Sequence, residues 1–297
     1  MSEPRMFLVR CFQLFRELHE AVNSPEILRQ VTTDVVEEFS SDGVVYLELR
    51  TTLRPLPTYR DYLLGVIEGV KSSPSVLTGR IVARLLISID RARGVVNGQQ
   101  AVTLAIEAAR LWPELVMGVD LSGNPSVGSL LDYVSALNKA RANGLKTTVH
   151  FAELSGSASE WLQFLQQHVP DRLGHVTSLS QTIASYHNVD ALETRKMIVA
   201  AQIPLGSFPL VVRNDVRAFV SCELLAGLDP QLLTDDKGVF CSNLSNEFQL
   251  AVEYCGLTET DVFRVCENAI AAAFCSEQVK SQLRKKLDLF RARVPRF

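Results

Sequence analysis

The sequence predicts an α/β fold built on a parallel sheet, a (β/α) barrel that lacks one strand. Short β-branched or apolar runs alternate along the chain with amphipathic stretches at helical spacing. The runs are mostly apolar on both faces, as strands are when helices cover a sheet on both sides. There are seven such runs where a closed barrel wants eight, and the chain opens on a helix with no strand before it. A missing N-terminal strand is the plain reading, and an open seven-stranded sheet is the alternative.

The strand-like runs are Val44–Leu49, Ile81–Ile89, Val116–Leu121, Lys146–Phe151, Arg172–Val176, Ile203–Phe208 and Gln231–Thr234. The opening helix is expected over Met6–Val22. In Pro25–Phe39 the apolar residues Ile27, Leu28, Val31, Val35, Val36 and Phe39 fall on one helical face. Tyr59–Val70, Ala101–Leu111, Ser129–Ala142, Ser159–His168, Val189–Ala201 and Asp215–Leu225 read the same way. Arg284–Arg293 is basic, but its leucines and Phe290 keep an apolar stripe, so it is expected as a terminal helix with a solvated face. No low-complexity tract or long linker interrupts residues 1–297, which are expected to form one domain.

Lys and Arg number 30 against 33 Asp and Glu, a net charge of −3, which argues against nucleic acid as a partner. No run approaches the roughly 18 uncharged apolar residues that cross a bilayer, and the charged N-terminus is no secretory signal. The six cysteines, Cys11, Cys222, Cys241, Cys255, Cys266 and Cys275, form no C-x-x-C pair and read as buried thiols of a reducing compartment. A cytoplasmic monomer is expected.

In a parallel α/β sheet, chemistry collects where strands end. The first run leads into Arg50-Thr51-Thr52-Leu53-Arg54, the second into Asp90, and the third into Asp120-Leu121-Ser122-Gly123. The fourth closes on His150-Phe151-Ala152-Glu153, the fifth on Gly174-His175, and the seventh on Thr234-Asp235-Asp236. Alone, His150 or His175 reads equally as a buried, hydrogen-bonded imidazole, and Asp235-Asp236-Lys237-Gly238 as a turn or helix cap. Together, His, Glu, His, Asp and Asp on three strand ends make the kit for metal-assisted hydrolysis.

These residues resemble the adenosine deaminase family. The resemblance rests on Asp42-Gly-Val-Val-Tyr-Leu-Glu-Leu-Arg50, Gly118-Val-Asp-Leu-Ser-Gly123, Val149-His-Phe-Ala-Glu153, Asp171-Arg-Leu-Gly-His175 and Thr234-Asp-Asp-Lys-Gly-Val-Phe240, in this order and at these intervals. It is greatest for the branch that acts on N6-methyl-AMP. The resemblance implies a TIM-type barrel of the metal-dependent hydrolase kind, a Zn2+ ion, and removal of an amine or alkylamine from a purine nucleotide to give IMP. It implies that His150 and Asp235 hold the zinc and that Glu153 protonates the purine ring. It implies that His175 and Asp236 orient and deprotonate the attacking water. Gly123 matches the residue whose backbone approaches the purine, Asp90 one that reaches the ribose, and Thr51, Thr52, Leu53 and Arg54 the segment that holds the phosphate. Asp236 also faces substrate in this reading.

Two departures qualify the match. The family's H-x-H does not occur, since the five histidines are His19, His150, His168, His175 and His187. That motif belongs on the strand whose absence the count of seven already indicates. After the sixth run, Pro204-Leu-Gly-Ser-Phe-Pro replaces the family's Ser/Thr-Ser-Asn type of loop. The expectation is that the 297-residue chain holds zinc weakly and turns over slowly or not at all. A nucleotide-binding or regulatory protein without catalysis is the alternative.

Overall fold

The computed structural model describes residues 14, 17–154, 158–186, 188–207, 230–232, 234, 237 and 242–293. The helix expected over Asp215–Leu225, the residues Asp235, Asp236 and His187, and Phe208 lie outside them. The chain divides into two compact units.

The first unit comprises the chain up to Leu47, Leu53–Ala83 and Thr234–Asn243. Residues 17–21 are helical, as the opening of the sequence suggests. Helix α1, Pro25–Ser41, begins with Pro at its first position behind a Ser24 side chain that accepts from the Ile27 amide. Helix α2, Tyr59–Ser72, opens on a reciprocal capping box between Thr58 and Asp61. The two helices touch at Gly69, where an added Cβ would lie 2.6 Å from both the Arg29 carbonyl oxygen and Thr32 Cβ. The Thr33 hydroxyl donates to the Gly69 carbonyl at 2.9 Å. The short α3, Pro74–Leu77, is tied to α1 by Glu37, which accepts from the Ser75 amide at 2.9 Å. Hydrogen bonds from Ser73 and Ser75 hold the Glu37 carboxyl below its usual range.

Most of the sheet belongs to the second unit. Its strands are β1 Tyr46–Thr52, β2 Val82–Asp90, β3 Val116–Ser122, β4 Lys146–Phe151, β5 Arg172–His175, β6 Leu205–Ser207 and β7 Pro230–Leu232. The seven stand side by side in sequence order, and every pair from β2 to β7 is parallel. That order, with helices between the strands from β1 to β6, is the barrel arrangement the alternation predicts. Among the described residues β7 does not close onto β1. β1 runs three residues beyond its expected end at Leu49, because ladder pairing carries the polar Arg50-Thr51-Thr52 where side-chain pattern alone signals a stop.

Helix α4, Gly94–Leu111, begins seven residues before the expected Ala101. Its first turns hold glycines and valines, poor helix formers, but Gly98 lets the helix lie against the sheet: a Cβ there would come within 2.9 Å of Ile89 Cγ2. The stretch expected as one helix over Ser129–Ala142 is a 3-10 turn, Leu130–Tyr133, followed by α5, Val134–Ala142. The turn's exposed amides are met by Glu160, which accepts from the Leu130 amide at 2.6 Å. Helix α6, Ala158–Gln167, buries Trp161, Phe164 and Leu165, and Phe151 packs 6.0 Å from the Phe164 ring. The hydroxyl-rich Thr177–Tyr186 forms α7, which periodicity does not reveal, and α8 is Val189–Ala200. Helices α9 Leu244–Cys255, α10 Glu259–Ala272 and α11 Glu277–Arg291 complete the unit. In α11 Leu283 is buried, while Phe290 is largely exposed beside the Phe263 ring.

A largely buried ion pair crosses the unit. Glu48 on β1 accepts from the Arg172 guanidinium at the start of β5 and from the Phe274 amide at 2.6 Å. The guanidinium stacks 3.7 Å over the Phe274 ring centroid.

His168, just past α6, bonds Asn138 at 2.8 Å and Thr147 at 3.1 Å. Burial, reinforced by the Arg141 guanidinium, pushes its imidazole down to about 4. The unfolded group titrates near 6.5, so the stability it contributes is complete above that pH and is lost as pH falls through about 4. The expected loss is about 3 kcal/mol across that window. Urea unfolding from pH 7 to 4.5 checks this, and His168→Gln should flatten the slope.

Candidate active site

Strands β4 and β5 end side by side, with His150 opposite Gly174 and Phe151 opposite His175. This register brings the two imidazoles together: His175 Nε2 is 3.3 Å from His150 Nδ1, and the rings meet edge-on with centroids 4.9 Å apart. Glu153, in the loop after β4, places Oε2 3.8 Å from His175 Nε2. One ligand atom from each of His150, Glu153 and His175 lies within 4.8 Å of the others. Two imidazoles and a carboxylate at that spacing suit a borderline divalent cation such as zinc.

The backbone beneath this group is strained. Ala152, His175 and Val176 have φ of 46°, 63° and 58°. For a β-branched residue such as Val176 that region is sterically costly, on the order of 1–3 kcal/mol. The bends are held by a strap between the two loops. The Val176 amide donates to the Phe151 carbonyl and the Ser178 amide to the Ala152 carbonyl, both at 2.8 Å. The Thr177 and Ser178 hydroxyls donate to the Glu153 carbonyl at 3.3 and 3.2 Å.

Two further residues join His150 that the sequence placed at strand ends without assigning them a role. Arg50, on β1, donates from Nη1 to His150 Nε2. Asp120, on β3, has Oδ2 at 3.5 Å from His150 Nε2 and 3.7 Å from Arg50 Nη1. The Asp120 side chain is 1% exposed, and neither oxygen has a hydrogen-bond partner among the described residues. Their sequence signals are position near the ends of two different strands and a place in two of the segments that carry the family resemblance.

Gly123 and Asp90 are also brought together. Gly123 has φ of 90°, and a Cβ there would lie 2.2 Å from Asp90 Oδ1, so both conformation and space require glycine. Asp90 accepts from the Ala92 amide at 2.9 Å and pairs with Arg93 at 3.2 Å. Thr51 and Thr52 are the half-buried last residues of β1. Leu53, which is buried, and Arg54 belong to the first unit. There Arg54 donates to the carbonyls of His19 and Val22 at 2.8 and 2.9 Å, closing the C-terminal end of helical residues 17–21. Asp235 and Asp236 lie outside the described residues.

Comparison with known proteins agrees with this arrangement. The family model described as adenosine deaminase matches residues 3–290. A curated relative, N6-methyl-AMP deaminase of Homo sapiens, is 35% identical over 297 residues, covering 97% of this chain and 82% of the relative. Among solved structures, Arabidopsis ADAL complexed with GMP superposes with a TM-score of 0.83 at 32% identity, over 95% of this chain and 82% of that one. The same protein complexed with IMP gives a TM-score of 0.81 at 32% identity, over 95% and 82%. A family match along almost the whole chain, a sheet in barrel order and a His/Glu/His group at its strand ends lead to one conclusion: the chain belongs to the adenosine deaminase family of hydrolases.

Proposed function

We propose that the protein hydrolyses N6-methyl-AMP to IMP and methylamine, with a zinc ion. The observation that carries this reading is the convergence of His150, Glu153 and His175 on adjacent strand ends of an adenosine deaminase relative. The relatives solved with GMP and IMP support a purine 5′-monophosphate as ligand.

Water adds to the purine carbon that bears the methylamine. The ring must accept the electron pair, and a protonated Glu153 relieves that charge by giving its proton to the ring nitrogen. His175 and Asp236 orient the water and take its proton, and the amine departs with a proton. His150 and Asp235 would hold zinc, which when bound makes water nucleophilic at neutral pH. Gly123 offers its backbone to the purine and Asp90 its carboxylate to the ribose. Because the sequence holds no H-x-H, we expect turnover only with zinc supplied in excess.

The test is a discontinuous assay of the 297-residue chain with N6-methyl-AMP, AMP and adenosine, following IMP or inosine, with and without added zinc. Turnover of N6-methyl-AMP above both others supports the reading. Nucleotide binding without turnover at any zinc concentration would instead establish a non-catalytic binding protein.

Thr51, Thr52, Leu53 and Arg54 are proposed to hold the phosphate. Arg54→Ala should raise KM for the nucleotide about tenfold or more, the scale of one lost charge-assisted hydrogen bond. The constants for adenosine should change little. Equal losses on both substrates would show that Arg54 serves only the helix end it caps.

A further inference from the structure

We propose that Arg50 is a built-in competitor for the metal-binding lone pair of His150, and that Asp120 receives the cation when Arg50 is displaced. This rests on the reading of His150 as a metal ligand and adds two residues to it.

A guanidinium carries donors only. Its contact with His150 Nε2 therefore makes Nε2 the acceptor and leaves the ring proton on Nδ1, which faces His175 Nε2 at 3.3 Å. A neutral imidazole binds a metal through that same unprotonated nitrogen. One lone pair cannot serve both cations, so zinc must remove Arg50 before it can bind His150 through Nε2.

Asp120 shows where the incoming charge would go. Its carboxylate is buried, neither oxygen is hydrogen-bonded among the described residues, and the guanidinium approaches only to 3.7 Å. A buried carboxylate left in that state is costly, and the guanidinium at that distance compensates it poorly. The separation of Asp120 Oδ2 from His150 Nε2 is 3.5 Å. Two ligands each about 2.1 Å from a tetrahedral zinc stand about 3.4 Å apart. The pair is therefore already spaced as one edge of a zinc tetrahedron, with an arginine of the chain standing at it. Arginine suits this place because it never deprotonates, so the competition persists at any pH at which the protein folds.

The experiment uses zinc alone, titrated into the full chain against a chromogenic chelator. Arg50→Gln should bind zinc at least about tenfold more tightly than the wild type, and adding Asp120→Asn to it should abolish the gain. Arg50→Lys, which keeps a charge but has a shorter overall reach and no guanidinium fork, should fall between them. In the wild type, nitrogen NMR should show His150 protonated on Nδ1, and zinc should shift the Arg50 guanidinium signals. That measurement stands even if Arg50→Gln fails to fold. Arg50→Gln binding zinc as the wild type does, or Arg50 signals unmoved at saturating zinc, would overturn the proposal. If His150→Gln still abolishes zinc binding in that case, the metal reading survives without it. Zinc bound by no variant would overturn both.

Discussion

Glu153→Gln is expected to lower kcat for N6-methyl-AMP by roughly 10²- to 10⁴-fold in the zinc-supplemented assay, the range a positioned acid contributes. The amide keeps the size of the carboxyl but has no proton to give the ring. Folding should be spared, because the strap around this loop uses the Glu153 backbone carbonyl rather than its side chain. Glu153 also lies within reach of the two histidines, so the same variant distinguishes two roles. As an acid, its loss leaves zinc affinity unchanged while turnover collapses. As a ligand, its loss weakens zinc and turnover together, and a zinc titration of the variant tells which.

Glu48→Ala is expected to destabilise the protein by about 3–5 kcal/mol, the cost of breaking a buried ion pair on one side. The substitution leaves the Arg172 guanidinium buried against the Phe274 ring without its counter-charge and strands the Phe274 amide. Glu48→Gln can still accept from that amide and should cost less, since only the charge is lost. The urea midpoints of the two variants measure the difference. Arg172 opens β5 and His175 closes it, so activity per folded molecule should hold better than stability does.

How much of this was legible in the sequence follows from the range of each interaction. Each of the seven strands overlaps an apolar run of the sequence, because a strand's pattern is set by near neighbours, but the ends are not read so well: β1 runs past Leu49, and Thr234 lies outside the last strand. Sequence order along the chain became spatial order in the sheet, as consecutive strands of a parallel sheet commonly stand side by side. His150 and His175 were legible as strand-end residues, and register alone then made them neighbours. Hydroxyl-rich α7 and the early start of α4 were not legible, since both depend on packing partners rather than on local preference.

Only the tertiary structure decided what surrounds His150. Arg50 comes from 100 residues upstream, and Asp120 from a different strand again. Glu48 finds Arg172 across 124 residues and Phe274 across 226. No local pattern encodes such meetings. They exist because a sheet ordered strand by strand carries remote residues to a common end, where a buried carboxylate and an arginine meet at the strand-end His150.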